Sequence, residues 1–213
     1  RPGESVPAKG YAHNSFQSWV RDMDGDGRAD VFQVAHDGNF HLDLYLQPAE
    51  PSEDWPRHRV VTKMGNESPE LADLKGDGNP VLLAMQEGKI GYFSPDWSEP
   101  QKPWRFQPIS EKRADSAYYH GLGFGDLNGD GRVDILEKGG WYEGPEGPHF
   151  SGNWTFHPYL FSMKGGAQML VYDVDGDGDN DVVTSLAAHA WGLAWFENDD
   201  LSFTRHELIP EEK

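Results

Sequence analysis

The chain contains no cysteine, so it has no disulfide framework and no thiol chemistry. Positive charge is also scarce. Eighteen Lys and Arg stand against 36 Asp and Glu, and the net charge is −18. That balance excludes the basic footprint of a nucleic-acid binder and disfavours an anionic membrane surface. No apolar run is long enough to span a bilayer and no secretory leader is read, so membrane insertion is not expected. Arg1 opens abruptly, as expected of a mature product or an excised piece of a longer protein. Helical periodicity is missing beyond weak cases. No Ser-His-Asp arrangement, phosphate-binding glycine loop or zinc spacing stands out. The 213 residues are 37% hydrophobic and 13% aromatic. That suffices for the core of one sizeable domain or a compact array of repeats.

What the chain does have is carboxylate, and it is concentrated. Asp173-Val174-Asp175-Gly176-Asp177-Gly178-Asp179-Asn180-Asp181 sets acids on alternate residues with glycines between them. Side chains at its first, third and fifth positions converge only if the backbone curls tightly, and Gly178 permits the curl. So dense a group of like charges is repulsive unless a cation sits inside it, and oxygen-only ligands suit Ca²⁺. The pattern recurs from Asp22 to Asp30 and from Asp126 to Asp134, and a degraded copy runs from Asp73 to Val81.

The four loops start at residues 22, 73, 126 and 173, so 51, 53 and 47 residues separate them. Two further markers keep the same beat. One is aromatic: Leu44-Tyr45-Leu46, Gly91-Tyr92-Phe93, Trp141-Tyr142-Glu143 and Trp195-Phe196-Glu197. The other carries Trp and His: Trp55 with His58, Trp104 with Phe106, Trp154 with His157, and Phe203 with His206. Each repeat reads as four short strands, labelled A to D. The acidic loop joins A to B, and β-branched and aromatic residues alternate with polar ones. Radial repetition of four-stranded units of this length predicts an all-β chain: a β-propeller of four four-stranded blades. The blades are expected over about 14–62, 63–112, 113–163 and 164–213 of a single domain, 1–213. The ring either closes at four blades or is part of a larger propeller, completed by missing sequence or by self-association.

Asp-x-Asp-Gly-Asp-Gly-x-x-Asp before a Val/Ile strand, at this period, resembles the FG-GAP/VCBS repeats. Those repeats occur in the integrin α propeller and in many secreted bacterial proteins. Gly140-Trp141-Tyr142-Glu143 resembles the bacterial branch. The likeness runs from about Asn14 to Ile209. It implies Ca²⁺ in the A–B loops, held by side chains at loop positions one, three, five and nine and by the carbonyl at seven. Loop one then offers Asp22, Asp24, Asp26 and Asp30 with the Arg28 carbonyl. Loop three offers Asp126, Asn128, Asp130 and Asp134 with the Arg132 carbonyl. Loop four offers Asp173, Asp175, Asp177 and Asp181 with the Asp179 carbonyl. An EF-hand reading fails, because position twelve is Gln33, Ala84, Glu137 or Thr184 and strands flank the loops. Loop two has Lys75 at position three and Val81 at nine. Three Ca²⁺ sites are therefore expected, with Lys75 or a water pairing to Asp73 or Asp77 in the second loop. Three ions would bring the net charge from −18 to −12.

Strand direction puts the acidic loops and the C–D loops on one face. The opposite face is expected to carry Asn14, His36, Asn66, Glu67, Glu87, Tyr118, Tyr119, His120, Lys138, Lys164 and His189. His58, His157 and His206 recur at one strand-D position, which points to packing or a local hydrogen bond. The function expected is an extracytoplasmic, Ca²⁺-stabilised binding or structural module for a glycan or protein partner. Two alternatives stand beside it. One is a lyase-type carbohydrate-active enzyme using His120 and Tyr119 as acid and base. The other is a fragment of a larger propeller whose function lies elsewhere.

Overall fold

The structure, a computed structural model, describes residues 15–50, 53–113, 118–147 and 153–210. Asn14 lies outside them. No helix among the described residues is long and apolar enough to cross a membrane. All regular elements are strands. The first repeat holds β1 (Ser15–Arg21), β2 (Asp30–His36), β3 (Phe40–Tyr45) and β4 (Arg57–Met64). The second holds β5 (Glu70–Ala72), β6 (Val81–Gln86), β7 (Lys89–Ser94) and β8 (Arg105–Lys112). The third holds β9 (Leu122–Gly125), β10 (Asp134–Glu137), β11 (Gly140–Glu143) and β12 (Thr155–Pro158). The fourth holds β13 (Met169–Tyr172), β14 (Asp181–Ser185), β15 (Leu193–Asp199) and β16 (Ser202–Ile209). Within each repeat, consecutive strands pair antiparallel, and the acidic loop connects the first two.

The middle strands carry the core because they are covered on both sides. All of β10, and all but the last residue of β3 and β6, are buried. In β6 this burial goes with a continuous apolar run, Val81-Leu82-Leu83-Ala84-Met85, whereas β3 and β10 also bury His41, Asp43, Asp134 and Glu137. The outer strand β16 is mostly exposed and correspondingly polar, with Thr204, Arg205, His206 and Glu207.

The chain divides into two compact units. The first comprises Arg1–Lys63 with Pro95–Trp104. Its core is Phe32, Val34, Phe40, Leu42, Leu44, Val60 and Val61, and Trp104 meets Phe32 edge-on at 5.8 Å. The second unit comprises Met64–Ser94 with Arg105–Lys213. One cluster there joins Leu83, Met85, Ile90, Tyr119, Leu122 and Ile135. Another joins Leu136, Trp141, Phe161, Met169, Val182 and Phe196.

The expected architecture needs correction. The strands form sheets of four, four and eight, and no closed propeller blade is found among the described residues. Neither the four-blade ring nor the arc of a larger propeller describes this chain. The cause lies in two innermost strands. β9 and β13 pair parallel, Met169 opposite Gly123 and Leu170 opposite Phe124, and this fuses the third and fourth repeats into one eight-stranded sheet. Gly123 makes the approach feasible: a Cβ there would lie 2.0 Å from the Met169 carbonyl oxygen. Gly125 plays the same part against Val171, where a Cβ would meet the side chain at 2.5 Å. Repeat markers describe what lies inside a unit and are silent on how innermost strands join.

Candidate functional site

The acidic loops are built by their own backbone. In loop one, Asp22 accepts the Gly25 and Gly27 N–H groups, Asp24 accepts Asp26 N–H, and Asp26 accepts Arg28 N–H. Loop four repeats the scheme: Asp173 takes Gly176, Asp175 takes Asp177, and Asp177 takes Asp179. Gly25, Gly27, Gly176 and Gly178 all adopt positive φ, which the curl requires. Carboxylate oxygens of Asp22, Asp24 and Asp30 thereby gather within 4.8 Å of one another, as do those of Asp173, Asp175 and Asp181. An all-oxygen set of this kind fits Ca²⁺. Burial, and then neighbouring acids, push the Asp24 and Asp175 carboxyls above their ordinary range.

Position nine has a second role that loop spacing did not suggest. Asp30, Asp134 and Asp181 are essentially fully buried. Each accepts two backbone N–H groups, one from its own loop and one from the end of strand C or just beyond it. Asp30 takes Met23 and Gln47, Asp134 takes Leu127 and Gly144, and Asp181 takes Val174 and Asn198. Burial raises the Asp134 carboxyl to about 6 against these opposing hydrogen bonds. Its carboxylate therefore staples two loops together. Asn198, to which the sequence reading assigned nothing, completes the device in repeat four. Its side-chain amide donates to the carbonyls of Leu127 and Asn180 and its oxygen accepts Leu201 N–H. No motif marks it, because the carbonyls that its amide reaches lie 18 and 71 residues away.

The three intact loops are not equivalent. Arg28 pairs with Asp26, and Arg132 pairs with Asp130, so position five in loops one and three already faces a guanidinium. In loop three, Asn128 also donates to Asp130 at 2.9 Å. Loop four has Asp179 at position seven and no such cation. In loop two the expected ion pair does not form. Lys75 is exposed, no ion pair to Asp73 or Asp77 is present among the described residues, and Asp73 Oδ1 is buried without a hydrogen-bond partner. Asp73 and Asp77 instead hold the turn through Gly78 and Asn79 N–H groups.

The opposite face of the second unit brings Glu67, His120 and His189 together from three connections. Asn66 and Tyr119 form a parallel bridge, and Glu67 N–H donates to the Tyr119 carbonyl at 3.3 Å. That sets Glu67 beside His120. The loop bearing His189 is closed by Leu186 N–H to Gly192 and tied down by Ala188 N–H to the Gly165 carbonyl. Gly165 in turn lies against His120, where a Cβ would be 2.4 Å from the His120 carbonyl oxygen. Both imidazole Nε2 atoms stand 3.3 Å from Glu67 Oε2, and the rings meet edge-on at 4.9 Å. Burial lowers the His120 pKa, and the neighbouring His189 and Lys138 add to the effect against Glu67. Exposed Tyr118 and Trp191 lie two residues from His120 and His189.

Tyr119 does not share this face with His120. It is buried, and its hydroxyl donates to Glu137, which also binds Arg113 at 2.6 Å. Burial, then Glu137, pushes the phenol further from ionisation. The two residues therefore do not present a joint acid–base pair. Of the recurrent histidines, His157 stacks on Trp141 at 4.2 Å and bonds Glu143, while His206 stacks on Trp195 at 4.5 Å and bonds Glu197. Their recurrence reflects a cross-strand Trp–His–Glu packing unit.

No family model matches the chain, and no curated protein matches it. Two of the solved structures similar to the chain illustrate its fold. One is the V. cholerae biofilm matrix protein Bap1, at 17% identity and TM-score 0.47, covering 87% of this chain and 35% of that one. The other is an Agrocybe aegerita lectin described as recognising non-reducing terminal N-acetylglucosamine. It aligns at 18% identity and TM-score 0.53, over 92% of this chain and 52% of the lectin. The chain thus spans about half the length of that lectin. At this identity the likeness is one of fold.

Proposed function

We propose that the chain is a non-catalytic, extracytoplasmic module that binds glycans, with Ca²⁺ in its acidic loops as a structural ion. The observation that carries the reading is the face just described. Two exposed aromatic residues, Tyr118 and Trp191, stand two positions along the chain from His120 and His189, whose imidazoles gather with the Glu67 carboxylate. Sugars present apolar C–H faces and hydroxyl groups together. A ring to stack on beside a few polar groups is the combination that takes them. The N-acetylglucosamine recognition described for the lectin of similar fold supports a glycan over other ligands.

Ca²⁺ fits the loops by their donor chemistry, in the manner of the FG-GAP/VCBS pattern. Oxygens of three acids converge in loops one and four. The ion's part is to convert carboxylate repulsion into a clip between the first two strands of a repeat. Extracellular modules bind Ca²⁺ with Kd of roughly 0.1–1 mM, so the ion is available outside the cytoplasm. A glycan array probed with the intact chain, with and without EDTA, tests the reading. Expected is binding to a defined glycan subset that is lost in Trp191→Ala. Binding that is undiminished in both Trp191→Ala and Tyr118→Ala, or no glycan bound at all, overturns it.

A further inference from the structure

We infer that Glu67, His120 and His189 form a binding site for a single borderline-soft divalent transition ion, of which Zn²⁺ is the reference case. The inference stands apart from glycan recognition and from Ca²⁺ in the acidic loops. The donor set is two imidazole nitrogens and one carboxylate oxygen, which suits Zn²⁺ and its neighbours in the first transition row rather than Ca²⁺. The spacing agrees. Ligand atoms about 2.0–2.1 Å from a tetrahedral ion sit about 3.3 Å from one another. Glu67 Oε2 lies 3.3 Å from His120 Nε2 and 3.3 Å from His189 Nε2. Both contacts are longer than the roughly 2.7–3.2 Å usual for an N–H···O hydrogen bond. The spacing is good ligand geometry, since all three donor atoms fall within 4.8 Å of one another.

The site is also held in place. Backbone bonds fix Glu67 to Tyr119, and Ala188 N–H fixes the His189 loop to Gly165, which abuts His120. Lys138, whose charge acts on His120, lays its ammonium over the Tyr119 ring at 4.8 Å. Three protein ligands leave a fourth position for water, and the largely exposed His189 (77% of its side chain) keeps that side open.

The test is calorimetric titration of Zn²⁺ into the intact chain saturated with Ca²⁺, so that the acidic loops do not compete. One equivalent should bind tightly. Its affinity should fall about tenfold or more in His189→Ala and in Glu67→Gln, the scale on which even outer-shell changes act. Both variants should keep the wild-type circular dichroism spectrum, because His189 is exposed and Gln preserves the shape of Glu67. Co²⁺ should produce visible absorption bands of a four-coordinate ion that vanish in His189→Ala. Lys102→Ala, which removes an exposed cation paired with Glu99 and belonging to neither proposed site, should leave both signals intact. Absence of tight Zn²⁺ uptake, or uptake unchanged by His189→Ala and Glu67→Gln, or uptake lost in Lys102→Ala, overturns the assignment.

Discussion

Glu70 should make the stability of the second unit fall with rising pH. It sits on β5 opposite Leu83, with 9% of its surface exposed. Its Oε1 atom is buried with no hydrogen-bond partner. Burial alone raises its carboxyl from 4.5 to about 7. The sign follows from linkage. Below pH 4.5 the folded and unfolded chains both carry the proton and there is no penalty. Between pH 4.5 and 7 the unfolded chain releases its proton while the folded chain keeps it, so stability drops as pH rises. Above the folded value the full cost of a buried carboxylate applies. Carried from 4.5 to about 7, at about 1.36 kcal/mol per pH unit, the carboxyl costs about 3 kcal/mol when ionised in the fold. For a chain of this size that corresponds to a Tm change of about 6–12 °C. Glu70→Gln removes the charge and keeps the shape. Other acids also titrate, so the measured quantity is the difference in Tm between variant and parent at fixed Ca²⁺. The difference should be small at pH 4 and should grow to its full size by pH 8, with the variant more stable. A difference that stays constant from pH 4 to 8 refutes the reasoning.

Four further outcomes follow from the same geometry. EDTA should lower the Tm, and Asp175→Ala should remove most of the Ca²⁺ response of repeat four; a melt unchanged in verified metal-free protein rejects the clip. Loop four should bind Ca²⁺ more tightly than loops one and three, where Arg28 and Arg132 must first leave Asp26 and Asp130; Arg132→Ala should then tighten loop three in a Ca²⁺ titration followed by NMR. Asp134→Ala strands the buried N–H groups of Leu127 and Gly144; at about 1–3 kcal/mol for each unsatisfied group, urea denaturation should show a loss of about 2–6 kcal/mol even without Ca²⁺. Gly123→Ala should break the β9–β13 pairing, since its Cβ would sit 2.0 Å from the Met169 oxygen; amide exchange should accelerate in both strands, and unchanged protection would count against the pairing.

What the sequence by itself determined is local. Asp-Gly alternation dictates the curl at residues 22–30 and 173–181, because side-chain carboxylates and positive-φ glycines act within a few residues. Strand positions were legible for the same reason: the apolar run Val81–Met85 and the β-branched stretch Val182–Thr184 fall within β6 and β14. Joins between repeats were not legible. The parallel pairing of β9 with β13 depends on close approach at Gly123 and Gly125, and a glycine in a strand looks the same in sequence whether or not another backbone lies against it. The site residues divide along the same line. Loop positions one, three and five could be read from spacing. The staple from Asp134 to Gly144 and from Asp181 to Asn198 could not, because the partner lies at or beyond the far end of strand C, ten and 17 residues along the chain. Glu67, His120 and His189 were assigned to one face by strand direction alone. Their convergence on one oxygen was decided by the Asn66–Tyr119 bridge and the Ala188–Gly165 tie, hydrogen bonds between backbones that carry no side-chain signature.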